Sequence, residues 1–561
     1  MLPDHRASGA TLPLRDALLA VGVSALATHI IFKRYEPNHI PTHIFLLLVP
    51  PSVLSILFPS NFSVSFALLV SFATYLSSLI LSIVAYRLSP LHPLAQYPGP
   101  LLHKVSKLWM ARITRTGKRH LYLQALHQHY GDIVRIGPNE VSICNVSAIL
   151  PLMGTTGLPK GPHWVGRTAG TTQKPLIAID DLQEHARRRK YWNRAFSTAS
   201  LKGYEEIVAK RAGQLADSLA EQEAEVDLSK WISWFTYDFM SDMAFGGGSE
   251  MLRNGDQGSV WHLMEEGIVM ADTMGQIPWS GVYARYIPSI GKDTKAMRRH
   301  GTELAAKRIK AGSLRKDLFH YLNNEDGFDA SPPTAQVISD GALAMIAGSD
   351  TTASVLTSLF FCLLSHRETY DCLQAEIDSY FPPGENALDT RYHAEMPYLN
   401  AVLNETLRLF PAVIGGSQRI AKKGSGGKAV GPFFLPEETC AFVHFYSIHR
   451  DPRYFSPLPE SFWPERWLIA SGESTAQGEM KKIVHEPTAF IPFSFGPANC
   501  VGKNLALQEM RMVVCLVMQK LEMRLPEGYN PKDFEEGLQD FFVVKKPRLP
   551  ALIKRRENAR V

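Results

Sequence analysis

Phe493-Ser-Phe-Gly-Pro-Ala-Asn-Cys-Val-Gly502 is a loop, punctuated by glycine and proline, that delivers one cysteine, Cys500, to the start of a run that reads as a helix, 503–521. A cysteine at a helix N-terminus sits where backbone N–H groups and the helix dipole favour negative charge, so its thiolate is stabilised. Gly496 and Gly502 let backbone pack close to the sulfur and donate to it, as a metal-bound thiolate requires. By itself such a cysteine reads as a small core hydrophobe. The segments upstream give it chemistry.

Phe462-Trp-Pro-Glu-Arg-Trp467 and Leu399-Asn-Ala-Val-Leu-Asn-Glu-Thr-Leu-Arg-Leu-Phe-Pro411 come first on the way back. Glu405 and Arg408 stand three apart on an amphipathic helix, and that spacing alone is a surface salt bridge worth about 0–1 kcal/mol. Further upstream, Gly341-Ala-Leu-Ala-Met-Ile-Ala-Gly-Ser-Asp-Thr-Thr352 lies inside a long apolar helix. Gly348 offers room for a flat ligand to approach, and Thr351 can open the hydrogen-bond ladder by back-bonding. Asp350 and Thr351 then form an acid and an alcohol able to relay protons from water. In Glu184-His-Ala-Arg-Arg-Arg-Lys-Tyr-Trp-Asn-Arg-Ala-Phe-Ser197, His185 and Arg189 share one helix face, and two donors projecting together suit an anionic ligand.

Taken together, 347–352, 405–408, 462–467 and 493–502 resemble, in order and spacing, the signatures of the cytochrome P450 family. The resemblance runs from about Tyr97 to the end, and its wording looks most like fungal secondary-metabolism members. It implies a mainly α fold with a small β part, preceded by N-terminal transmembrane helices. It implies heme b with iron ligated by Cys500, and Phe493, Gly496, Gly502 and Gly348 placed around it. Glu405, Arg408 and Arg466 would form a buried structural trio, and Asp350 and Thr351 the proton relay. His185, Arg189 and Arg419 would hold the heme propionates. Arg419 gains weight because Ala498 stands where the family usually carries Arg or His. The implied reaction is monooxygenation by O2 of a lipophilic small molecule such as a terpenoid. Its electrons would come from NADPH through NADPH-cytochrome P450 reductase, docked on Lys503, Arg511 and the 187–190 cluster. The substrate pocket would draw on 158–164, 230–285, Ala344, 412–416 and Phe541-Phe542. Two alternatives are a heme-thiolate enzyme rearranging a peroxide without O2, and a non-catalytic membrane heme- or sterol-binding protein. The Asp350–Thr351 pair argues against both.

Composition agrees with this class. The 561 residues are 45% apolar with a net charge of +5, too mild for a nucleic-acid binder. Six scattered cysteines without CxxC pairs form neither a disulfide framework nor a zinc site. Three apolar runs, 17–32, 43–58 (interrupted by Pro50-Pro51) and 62–86, precede a proline-rich hinge at 88–100. A span needs roughly 20 apolar residues, so the third run qualifies and the first two are marginal, giving one to three spans in a membrane anchor over 1–87. Lys33-Arg34 and Arg87 place the catalytic part, 101–561, on the cytosolic face of the endoplasmic reticulum membrane. The sequon Asn61-Phe62-Ser63 lies too near the membrane to be used. Tyr130–Cys144 reads as a β-hairpin, and helical periodicity dominates 203–222, 296–325, 334–364 and 366–381.

Overall fold

The computed structural model describes residues 11–556 apart from 38, 170, 172, 285, 288–291, 313–314 and 475–482. Its centre is the helix Thr334–Ser365, 32 residues long and mostly apolar because most of it is buried. By length and composition it could cross a membrane, yet 78% of its most apolar window is buried inside the protein. Leu228–Phe245 packs along it, and Lys503–Lys520 closes the same core through Val513, Val514, Cys515 and Val517. The expected helix over 296–325 forms as Lys292–Ala311 and Leu318–Leu322, interrupted at Gly312 with φ +70°.

The β part is small. Ile133–Gly137 and Glu140–Ile143 form the expected hairpin, with Ile133 opposite Ile143. Glu140–Ile143 runs parallel to Cys440–Val443, which pairs antiparallel with Arg419–Ile420. A further antiparallel bridge joins Lys160 to Arg419, so the loop after Met153 is stitched onto the edge of this sheet.

The three N-terminal apolar runs form Leu14–Tyr35, Ile40–Leu54 and Val64–Leu88, each long and apolar enough to cross a membrane once the second is extended to Leu57. The first is longer than its sequence run indicates, and Pro50-Pro51 does not break the second. Small side chains, Ala17, Val21, Ala25 and Ala67, face inward and let the helices approach. Pro50 has no N–H to give the carbonyl of Leu46, and Tyr75 Oη donates to that carbonyl at 2.7 Å. Because that proton is committed, Thr28 Oγ1 donates to Tyr75 Oη at 2.6 Å, so one hydroxyl relay ties all three helices. Ser71 Oγ adds a second donor, at 2.6 Å, to the carbonyl of Pro51, which also accepts the Ser55 N–H. An unmet carbonyl is costly in an apolar medium. Tyr75→Phe is expected to weaken the bundle by about 1 kcal/mol, seen as faster proteolysis between the first and second helices in detergent micelles. Unchanged cleavage would show that the relay contributes nothing.

Candidate active site

The loop 493–502 is built tightly from local bonds. The N–H of Cys500 donates to the carbonyl of Phe493 at 2.9 Å, and that of Asn499 to Gly496 at 3.0 Å. Gly496 has φ +72°, and a Cβ there would lie 2.0 Å from the carbonyl oxygen of Met153, so only glycine fits. Gly502 is different: a Cβ would meet Phe196 at 3.5 Å and the Cys500 sulfur at 3.9 Å, ordinary contacts. Its use is the N–H it turns toward the sulfur. Burial pushes the Cys500 thiol above its usual range, and hydrogen bonding from the Gly502 and Lys503 N–H groups and the charges of Arg189 and Lys503 pull it only part-way back. The helix start alone therefore does not ionise Cys500, and a bound cation would complete the task.

Cys500 opens into a cavity of about 700 Å³ and is the one cysteine among the described residues that lines it. Across the helix Thr334–Ser365, Ala347 and Thr351 line the same cavity. Thr351 Oγ1 donates to the carbonyl of Ala347 at 2.6 Å, the back-bond expected, but the helix stays continuous instead of opening. Gly348 lines the cavity too, and it has a second use. A Cβ there would fall 2.3 Å from the Met240 sulfur, so this glycine makes room for the packed helix Leu228–Phe245, and Ala347 presents the more open surface to the cavity. Asp350 also departs from expectation, because it is buried and does not line the cavity. Its carboxylate lies 3.7 Å from Lys546 Nζ, an ion pair beyond hydrogen-bond length, and that ammonium sits 4.5 Å over the Trp261 ring. Burial raises Asp350 to about 6 against the pull of Lys546.

The trio near the loop is assembled as expected. Glu405, Arg408 and Arg466 are fully buried. Glu405 accepts from Arg408 at 2.7 and 2.9 Å, from Arg466 Nε and the Trp463 N–H at 3.0 Å, and from Trp467 Nε1 at 3.0 Å. Burial would raise this carboxyl, but those donors hold it below its usual range. His449, which the sequence did not single out, carries the trio to the cysteine loop. It accepts the N–H of Ile491 on Nε2 at 3.1 Å and donates from Nδ1 to the carbonyl of Arg408 at 3.1 Å.

Residues 96–552 match the cytochrome P450 family profile. The cytochrome P450 monooxygenase FCK2 of Fusarium pseudograminearum is 34% identical over 86% of this chain and 85% of its own. The monooxygenase nodW of Hypoxylon pulicicidum is 33% identical over 91% and 93%. Tryprostatin B 6-hydroxylase of Aspergillus fumigatus is 28% identical over 99% and 100%. The chain belongs to the cytochrome P450 family.

Membership implies a heme with a cysteine thiolate on iron, and the cavity of this cytochrome P450 fits that group. His185, Arg189 and Arg419 all line it, as does Lys160, which the sequence did not single out. Arg419 is buried, its Nε has no partner, and Nη1 reaches only the carbonyl of Leu158 at 3.4 Å. Arg189 does more than expected: it donates to the Asn499 carbonyl at 2.7 Å and to its Oδ1 at 3.0 Å, fixing the residue before Cys500. Burial, with the neighbouring charges of Lys160, Arg189 and Arg419, lowers His185 to about 4, so it is neutral at pH 7. Glu509, the one carboxyl among the described lining residues, is pushed well above its usual range by burial, which disfavours its charged form.

The basic residues expected at a docking face divide. Arg188 is buried, 2.6 Å from Asp340, Arg187 pairs with Glu184 at 2.7 Å, and Arg511 donates to Asn400 at 2.9 Å. Lys190 and Lys503 remain exposed. In the pocket, Trp164, Ala344, Ala412 and Phe542 are lining residues, as expected, whereas Phe541 is not. Phe542 has φ +75° at the tip of the hairpin 539–545, a strained conformation that holds its ring in the cavity edge-on to Trp164 at 5.1 Å. The helix Lys292–Ala311 contributes Met297 and Thr302, which no local pattern marked.

Proposed function

We propose that this cytochrome P450 is a membrane-anchored monooxygenase: RH + O2 + NADPH + H⁺ gives ROH + H2O + NADP⁺. The observation that carries it is one cavity lined by both Cys500 and the helix bearing Thr351. Cys500 would hold the heme iron through its thiolate, and the heme so held would supply the oxygen-activating chemistry. Thr351 holds a hydroxyl at the cavity wall, able to accept a proton from water and pass one on while its own back-bond to Ala347 re-forms. Asp350, titrating near neutrality, refills that path when its carboxyl leaves the loose ion pair with Lys546. His185, Arg189 and Arg419 bind the propionates. Glu405, Arg408 and Arg466 hold the fold beneath the loop.

The substrate is a lipophilic small molecule, since the lining is mostly aliphatic and aromatic, with Ile268, Leu343, Val413 and Phe542 among it. Electrons from NADPH arrive through an acidic reductase meeting Lys190 and Lys503. Residues 1–87 anchor the chain in the endoplasmic reticulum membrane, 88–100 form the hinge, and 101–561 work on the cytosolic side. Expression with a reductase and product analysis over lipophilic candidates tests the reaction, and no oxygenated product with any of them would count against it. Thr351→Ala is expected to retain heme but send most NADPH-derived electrons into hydrogen peroxide, with coupled product falling about tenfold or more. Undiminished coupling would remove Thr351 from the relay.

A further inference from the structure

Arg298 lies on the helix Lys292–Ala311, which brings Met297, Arg298 and Thr302 to the cavity wall. Two backbone carbonyls at and just beyond the end of the helix His163–Arg167 aim its guanidinium: Nη1 donates to Ala169 O at 2.6 Å and Nη2 to Arg167 O at 3.1 Å. The neighbouring arginines are matched by acids. Arg167, also a lining residue, donates to Asp272 at 2.6 Å, and Arg119 pairs with Asp272 at 2.9 Å and Asp540 at 2.8 Å. Arg298 forms no ion pair among the described residues: burial lowers its hold on the proton, and no carboxylate offsets that. The cations that fit the heme, Lys160, Arg189 and Arg419, act on one another and not on Arg298. A guanidinium presented to a mostly apolar cavity without a counter-charge is costly, and its unused N–H groups form the fork that suits a carboxylate. Gly301, three residues on, locates this wall. A Cβ there would lie 3.1 Å from the Ala342 side chain, so the helix crosses the central helix at Ala342. Ala342, Leu343, Ile346, Ala347 and Thr351 line the cavity. Ala342 and Thr351 are nine residues apart (351 less 342), about 13 Å at a helical rise of about 1.5 Å per residue.

We propose that the substrate is an amphipathic acid whose carboxylate is held by Arg298, with its hydrocarbon body along Leu343 and Ile346 and the bond to be oxidised about 13 Å from the carboxylate. This rests on the monooxygenase reading above. Arg298 anchors one end of the molecule, so that one carbon, rather than many, meets the end of the cavity where Thr351 and Cys500 lie. Because the two backbone carbonyls hold the guanidinium beforehand, little ordering remains to be done when the acid arrives.

The test titrates the full-length, heme-loaded protein in neutral detergent micelles with dodecanoic, hexadecanoic and abietic acids and with the methyl ester of each, reading the Soret shift. Each ligand partitions into micelles equally in every sample, so affinities are compared between proteins, ligand by ligand. Arg298→Gln is expected to weaken at least one acid about tenfold and to bind the matching ester as the unsubstituted chain does. Arg298→Lys, which keeps the charge but not the fork, should show a smaller loss with the same selectivity, and is the variant read if Arg298→Gln does not load heme. Acid binding unchanged in Arg298→Gln overturns the proposal, as does the absence of any shift with all three acids. Equal weakening of acid and ester also overturns it, and would mark Arg298 as a brace for the 167–169 segment. The carbon monoxide band and product analysis on the same samples report the heme-thiolate monooxygenase separately, so failure of that reading and failure of this one are distinguished.

Discussion

Cys500→His abolishes the absorbance band near ~450 nm that reduced, carbon monoxide-bound heme-thiolate protein shows, moves it toward 420 nm, as imidazole-ligated heme does (about 30 nm), and eliminates oxygenated product. No other cysteine can substitute. Cys144, Cys362, Cys440 and Cys515 are buried away from the cavity, and Cys372 is on the surface. The loop itself should survive the exchange, because its bonds, Cys500 N–H to Phe493 O and Arg189 to Asn499, are made by backbone and neighbours and not by the sulfur. Heme content measured as pyridine hemochrome therefore stays appreciable while the band shifts. A 450 nm band persisting in the variant would reject Cys500 as the ligand.

The second large effect is structural. Glu405→Gln takes one charge from a site where a single carboxylate receives two guanidiniums, a backbone N–H and an indole N–H, all with 0% of the trio's side chains exposed. Two buried cations are left facing a neutral amide whose NH2 opposes them. Breaking a buried ion pair from one side costs about 3–5 kcal/mol, against a typical total stability of about 5–15 kcal/mol. His449 passes that loss to Ile491 and so to the cysteine loop. The expected result is a lower thermal midpoint and a protein purified largely without heme, read from the ratio of heme to protein absorbance. Glu405→Asp, which keeps the charge but shortens the reach, should fall between. Unchanged heme loading in Glu405→Gln would show that the trio does not support the loop.

Much of this was legible because the information is local. Glu405 and Arg408 lie three residues apart on one helix, and Thr351 finds its acceptor four residues back, so spacing alone names the partners. The Gly496 turn and the cysteine it presents are set within ten residues. Apolar runs announce helices, and the pattern at 133–143 announces a hairpin. Where a residue's role depends on a distant segment, spacing misassigns it. Arg188 looked like a free surface cation until Asp340, far along the chain, buried it. Asp350 looked like a cavity acid, but it lies on another side of its helix, 3.7 Å from Lys546, which follows the hairpin 539–545. Gly348 lines the cavity, but it also makes room for Met240 from a distant helix, which no local spacing shows.

The sequence by itself determined the family, the mainly helical class, the cysteine that opens into the cavity, the threonine with its back-bond and the buried trio. Those features repeat in fixed order and are read from neighbours in the chain. Only the tertiary structure decided which cations face the cavity without a counter-charge. Lys160 and Arg419 are 259 positions apart (419 less 160) and become partners through one sheet-edge bridge. Burial and desolvation, which leave a lysine and an arginine side by side at the cavity wall, are properties of packing and are written nowhere in local spacing. The same holds for the relay of Thr28, Tyr75 and Leu46, where three separate apolar runs that read as spans become one bundle because a proline leaves a carbonyl that a tyrosine from another helix must satisfy.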